Sequence, residues 1–96
     1  MKENQLEHIE PLARLYRHYK GNIYQWIDSA KHSETLEDLV VYKSLYTGEF
    51  PYGQIWVRPY HMFFEMIEVE RKLIPRFALL TSEQVKEFLK QRGQKQ

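Results

Sequence analysis

The chain has 96 residues, 43% hydrophobic, 15% aromatic and 28% charged, the balance of one soluble globular domain rather than of a disordered or membrane-embedded chain. Fourteen Lys and Arg face 13 Asp and Glu for a formal net charge of +1, short of the basic excess of a dedicated nucleic-acid binder. Cysteine is absent, which excludes disulfides, thiolate metal sites and thiol catalysis.

The amino terminus is polar and leads into no apolar h-region, which reads as a cytoplasmic protein. No apolar stretch approaches the roughly 20 residues that span a bilayer, so no membrane is expected. Leu6, Ile9, Leu12 and Ala13 recur at helical spacing with Pro11 among them. The spacing predicts a short helical extension over 1–14, interrupted where proline removes an amide donor.

From Leu15 the pattern changes. Leu15–Lys20 and Ile23–Ile27 are rich in aromatic and β-branched residues, with Gly21-Asn22 between them. That pair predicts a two-residue hairpin turn with glycine supplying the positive φ. The resulting register sets Tyr19 opposite Tyr24 and Arg17 opposite Trp26, with His18, Tyr16 and Ile27 on the other face. Polar Lys31–Asp38 reads as a connecting loop, with Leu36 as its one anchor to the core. Leu39–Tyr46 is the strongest strand candidate. Thr47–Gln54, with two glycines and Pro51, is a loop carrying Phe50 and Tyr52. Ile55–Arg58 is a short strand stopped by Pro59, Phe63–Val69 makes a fifth, and Leu73–Leu80 folds back on it. Thr81 and Gln84 form a capping box, Leu80 and Val85 a hydrophobic staple, and Gly93 a stop for a final helix of about eleven residues. Its Val85, Phe88 and Leu89 stripe is worth on the order of 5 kcal/mol when buried.

The whole reads as one domain, 1–96, with a β core over 15–80 and a capping helix over 81–96. The fold class is mainly β: a small SH3-like, partly open barrel of about five antiparallel strands with short N- and C-terminal helices.

Three constellations carry chemistry. In His32-Ser33-Glu34-Thr35, sequence-adjacent residues point to opposite sides, so a serine triad does not form; the hydroxyls and carboxylates suit turn hydrogen bonds instead. A metal or acid–base set would need His18, His32 and Glu34, with His61 in reserve, but ligand spacing for zinc is missing. The third is basic and aromatic: Arg14, Arg17, His18 and Lys20 interleave with Tyr16 and Tyr19, and Trp56, Arg58, Tyr60 and His61 surround Pro59. Such groups stack on bases, hold phosphates, or grip carboxylates and Pro-rich peptides. The plain alternative makes the aromatics core, the cations a solvated face, and Arg17–Trp26 an ordinary cation–π contact.

Tyr16-Arg17-His18-Tyr19-Lys20-Gly21, His32-Ser33-Glu34-Thr35, Val41-Tyr42, Leu45-Tyr46, Trp56-Val57-Arg58-Pro59, Met62-Phe63 and Pro75-Arg76-Phe77 occur in that order. The set resembles a small bacterial family catalogued as domain of unknown function 1653, over about Tyr16 to Phe77. The resemblance implies a compact β-rich domain and carries no activity, substrate or cofactor. Two departures stand out: a longer connection between Tyr46 and Trp56, and Glu70-Arg71 where relatives show Asp-Gly, which predicts a looser hairpin.

The leading functional reading is a non-enzymatic binding domain for an acidic or aromatic ligand. Its candidate binding residues are Arg17, His18, Lys20, His32, Glu34, Trp56 and Arg58; no catalytic residue, metal or cofactor is assigned. The partner would be a protein, peptide, small molecule or RNA. A small metal-dependent or acid–base enzyme using His18, His32 and Glu34 is the alternative, and a structural domain that homodimerises through an uncovered sheet edge is the third.

Overall fold

The computed structural model describes residues 14–94. Its elements follow in the order β1 (Leu15–His18), β2 (Ile23–Lys31), β3 (Asp38–Ser44), β4 (Ile55–Pro59), α1 (Tyr60–Phe63), β5 (Met66–Val69), β6 (Lys72–Pro75), β7 (Phe77–Leu79) and α2 (Ser82–Gln94). Five strands form one antiparallel sheet in the order β4-β3-β2-β1-β7, and β5 and β6 pair as a separate hairpin. The mainly β expectation holds, although among the described residues the sheet does not close into a barrel. The expected N-terminal helix lies outside the described residues. No helix among the described residues is long and apolar enough to cross a membrane.

The first hairpin corrects the expected register. Tyr16 pairs with Tyr24 and Arg17 with Ile23, not Tyr19 with Tyr24 and Arg17 with Trp26. The Gly21 N–H donates to the His18 carbonyl at 2.7 Å, and the His18 N–H donates to the Asn22 carbonyl at 2.8 Å. The loop is therefore the three residues 19–21, ending on Gly21 at φ +112°, a turn followed by a glycine bulge. The shift is by an odd number of positions, so side chains change faces. Tyr16, His18, Tyr24 and Trp26 now share one face, and Arg17 lies on the other. Trp26 takes its cation from Arg14, whose guanidinium carbon is 5.7 Å from the ring, instead of Arg17.

On a flat sheet β7 and β3 lie three spacings apart, about 14 Å, and β7 and β4 about 19 Å. Yet Phe77 on β7 has its ring centroid 5.5 Å from that of Tyr42 on β3. The sheet therefore curls, helped by a bulge between Trp26 and Asp28. Inside the curl sit Tyr16, Val40, Tyr42, Phe63 and Phe77, with Tyr24, Trp26 and Trp56 packed against them. Pro59 ends β4 and leads into α1, which delivers Phe63, 0% exposed, onto the ring of Phe77 at 4.2 Å. The aromatic surplus of the sequence is largely this core.

The opposite face carries a second cluster, Leu15, Ile23, Leu45 and Leu80, against which Val85 and Phe88 of α2 pack. The capping box forms as expected: the Thr81 N–H donates to Gln84 Oε1 at 2.8 Å, and the Gln84 N–H to Thr81 Oγ1 at 3.1 Å. The helix runs past the expected stop at Gly93 to Gln94, and Leu89 is more exposed than its two stripe partners.

Two turns differ from expectation. Glu70 and Arg71 both adopt positive φ, 52° and 69°, between the paired residues Val69 and Lys72. The hairpin is thus a tight two-residue turn despite lacking glycine. Leu36, the expected anchor of the 32–37 loop, is 68% exposed at φ 63° and holds nothing in the core.

Candidate functional site

Trp56 and Arg58 are two apart on β4, so the strand period puts both on the curled face. Tyr42, opposite Trp56, and Tyr24 extend the same face across β3 and β2. The curl then brings His18 and Phe77, paired across β1 and β7, to meet them. These six side chains line a cleft of about 180 Å³. A second chamber of about 270 Å³ is lined by Tyr24, Ser44, Tyr46, Glu49, Phe50 and Trp56. Tyr24 and Trp56 belong to both, so the chambers adjoin.

Arg58 reaches across the cleft, its guanidinium carbon 5.9 Å from the Phe77 ring. Among the described residues it forms no ion pair, and its Nε is enclosed without an acceptor, as is Nε1 of Trp56. An enclosed N–H lacking an acceptor costs about 1–3 kcal/mol, more for a charged group. Arg76 Nε, which lines neither chamber, is enclosed without an acceptor as well.

His18 is held below the usual histidine range, first by burial and then by the positive charges of Arg76, Lys20 and Arg58. Its Nδ1 accepts the Lys20 N–H at 3.2 Å. Arg76 donates to Glu65 Oε2 at 2.6 Å, which holds the Glu65 carboxyl below its usual range through that hydrogen bond. The charges of Arg76, Lys20 and Arg58 all bear on His18, and the Glu65 carboxylate pairs with Arg76 and feels the charge of Arg58 as well. At the far wall the Tyr24 and Tyr46 hydroxyls share a 2.7 Å hydrogen bond. Burial, then that bond, pushes Tyr24 well above the ordinary phenol range, so its hydroxyl stays neutral.

Of the residues singled out from sequence, His18, Trp56 and Arg58 converge here. Lys20 lines neither chamber; its ammonium is 5.8 Å from the Tyr19 ring. Arg17 does not join them: the register turns it to the α2 side, where Nη1 donates to the Gly21 carbonyl at 3.3 Å. His32 and Glu34 are also elsewhere. Lys31 lies seven residues along β2 from Tyr24, roughly 20 Å by strand rise, and His32 lies beyond it. There His32 Nδ1 accepts the N–H groups of Glu34 and Thr35 at 3.1 and 3.3 Å, a turn-building role. His61 faces Glu37 at 3.8 Å. The set His18, His32 and Glu34 is thus dispersed, and among the described residues no three His, Cys, Asp or Glu side chains gather as metal ligands.

Sequence reasoning missed Tyr24, Tyr42, Tyr46, Glu49, Arg76 and Phe77 as site residues. Period-two alternation would have placed Tyr24 beside His18 with the correct hairpin length; Phe77 becomes a neighbour only through the curl. Phe50 is the loop aromatic that folds back, edge-on to Trp56 at 5.1 Å.

No curated protein matches the chain. A crystal structure of a DUF1653 protein from Bordetella bronchiseptica is similar to it, with a TM-score of 0.62 and 33% identity over 71% of this chain and 85% of that one. The model of the family described as "Protein of unknown function (DUF1653)" matches residues 14–79, which takes in β1 to β7 and with them every residue of the cleft. The curled sheet that builds the cleft is therefore the family's own domain, and the chain belongs to the DUF1653 family.

Proposed function

We propose that this is a binding domain that takes an anionic ligand in the cleft between β4 and β7. The observation that carries the reading is Arg58: a guanidinium on a cleft wall with no carboxylate partner among the described residues, beside His18 and the further cations Lys20 and Arg76. Low-dielectric aromatic walls strengthen any charge-assisted hydrogen bond made there. The Trp56 and Tyr42 surfaces add apolar contact for a ligand that is also flat.

His32 and Glu34 share a turn that lies away from His18, which gives the acid–base alternative no shared centre. What the cleft offers is recognition: a guanidinium with no ion pair among the described residues, set among rigid rings.

The test is thermal denaturation with sulfate or inorganic phosphate added against chloride at equal ionic strength. The divalent oxyanions should raise the melting temperature of the wild type saturably, by mass action. Arg58→Ala should abolish that rise while leaving the ligand-free melting temperature close to wild type. Equal shifts in both proteins would remove Arg58, and the cleft with it, from the assignment.

A further inference from the structure

The two adjoining chambers differ in character, and the difference has an order. The first holds Arg58 and His18, and the charges of Arg76 and Lys20 bear on that histidine. The second contains no cation; beside the paired Tyr24 and Tyr46 hydroxyls, its polar side chains are Ser44 and Glu49. A carboxylate at neutral pH only accepts hydrogen bonds, so Glu49 repels an anion and attracts an N–H donor. Between the two ends stands Trp56, common to both chambers, with Phe50 edge-on to it and Tyr46 edge-on to Tyr24. Indole faces and ring edges of this kind favour a flat heterocycle. Passing along the cleft, the order is cation, aromatic slab, hydrogen-bond acceptor.

We infer that the ligand is bipartite: a phosphate monoester at the Arg58 end, carrying a planar nitrogen heterocycle that lies against Trp56 and offers ring N–H groups to Glu49. That is the chemistry of a nucleotide. Guanine suits the acceptor end best, because its N1–H and N2–H groups lie parallel and a carboxylate accepts such a pair in bidentate fashion. The inference rests on the anion-binding reading above and adds the second half of the ligand. A bare oxyanion or a simple carboxylate would fill the first chamber alone. The same chemistry reaches the cleft from a free mononucleotide or from one nucleotide of a single strand.

The experiment titrates the whole protein with GMP, guanosine and inorganic phosphate by calorimetry, in wild type, Arg58→Ala and Glu49→Gln. GMP should bind at least tenfold tighter than either half-ligand. Arg58→Ala should bring GMP down to the guanosine level, and Glu49→Gln should weaken GMP severalfold while phosphate binding stays unchanged. Glu49 is exposed on its loop, so folding of that variant is not at issue; circular dichroism checks Arg58→Ala. GMP no tighter than phosphate, with phosphate still dependent on Arg58, overturns the bipartite ligand and leaves the anion site standing. Guanosine as tight as GMP overturns it from the other end. If none of the three binds, both readings fall together. A single-stranded GMP-containing hexanucleotide, tighter than GMP and steeply salt-dependent, would identify the strand as the source; equal or weaker binding would identify the free nucleotide.

Discussion

Arg58 and Phe77 occupy the two edge strands of the sheet, β4 and β7, and the guanidinium carbon of one lies 5.9 Å from the ring of the other. Four strand spacings would hold these edges about 19 Å apart on a flat sheet. The curl that brings them together creates the cleft, so site and fold have one cause. On the proposed binding reading, a side chain at the contact serves the ligand, and a side chain beneath it serves the curl. The two kinds of residue should separate experimentally.

Arg58 is of the first kind. Among the described residues Arg58→Ala takes away no ion pair; it loses the cation–π contact with Phe77 but also an enclosed, unsatisfied Nε, opposing effects of about 1 kcal/mol each, so its unfolding free energy should stay within about 1–2 kcal/mol of wild type. Anion affinity should fall about 10- to 100-fold, the loss of one or two charge-assisted hydrogen bonds. Denaturant unfolding and calorimetry on the same preparation check both halves.

Phe63 is of the second kind. It is fully enclosed, stacked on Phe77 and edge-on to Tyr16 and Tyr42. Phe63→Ala should cost about 3–5 kcal/mol, a large share of the stability of a domain this size. Equilibrium unfolding should show it, with loss of near-ultraviolet aromatic dichroism if the curl itself relaxes. The milder Phe63→Leu keeps most of the apolar volume and should fall between the two.

His18 should couple the cleft to pH. Its folded value is lowered by burial and by Arg76, Lys20 and Arg58, while the unfolded value stays near 6.5. The unfolded chain therefore takes up this proton first on acidification. Stability from this group is complete above about pH 6.5 and is lost as pH falls from there through the lower folded value. Chemical unfolding at pH 7.5 and 5.5 should show a loss for wild type that is smaller in His18→Asn, whose side-chain oxygen can still accept the Lys20 amide. Sulfate, dianionic across this range, should reduce the wild-type loss by favouring the imidazolium beside it.

The Glu70-Arg71 turn predicts a gain. Both residues hold a left-handed backbone conformation that costs an L-residue roughly 1–2 kcal/mol. Asn and Gly adopt it with little strain. Glu70→Asn combined with Arg71→Gly should stabilise the protein by about 1 kcal/mol in urea unfolding, without change in anion binding, since the turn lines neither chamber.

The legible parts of the chain were those set by short-range chemistry. The Thr81–Gln84 box needs only residues three apart, and Trp56 with Arg58 needs only the period of a strand. The 16–26 hairpin was not legible because Gly21 serves equally in a two-residue turn and at the end of a three-residue one. The two lengths shift the pairing by an odd number, so one ambiguous glycine moved Arg17 off the cleft face and Tyr24 onto it. The tight 70–71 turn was missed because β5–β6 pairing imposes a conformation that local preference resists. Phe77 and Glu49 entered the site through the curl and a returning loop, which are properties of the packed sheet rather than of any window of sequence.

The most direct test of the cleft is the indole region of a proton–nitrogen NMR spectrum. The chain has two tryptophans, so two Nε1–H signals are expected, and Trp56→Phe assigns them. On titration with inorganic phosphate at constant ionic strength, the Trp56 signal should move along a saturating curve while that of Trp26, which lines neither chamber, stays in place. The Arg58→Ala protein should show no movement. A Trp56 signal that stays fixed in the wild type, or that moves no differently once Arg58 is gone, would contradict the account.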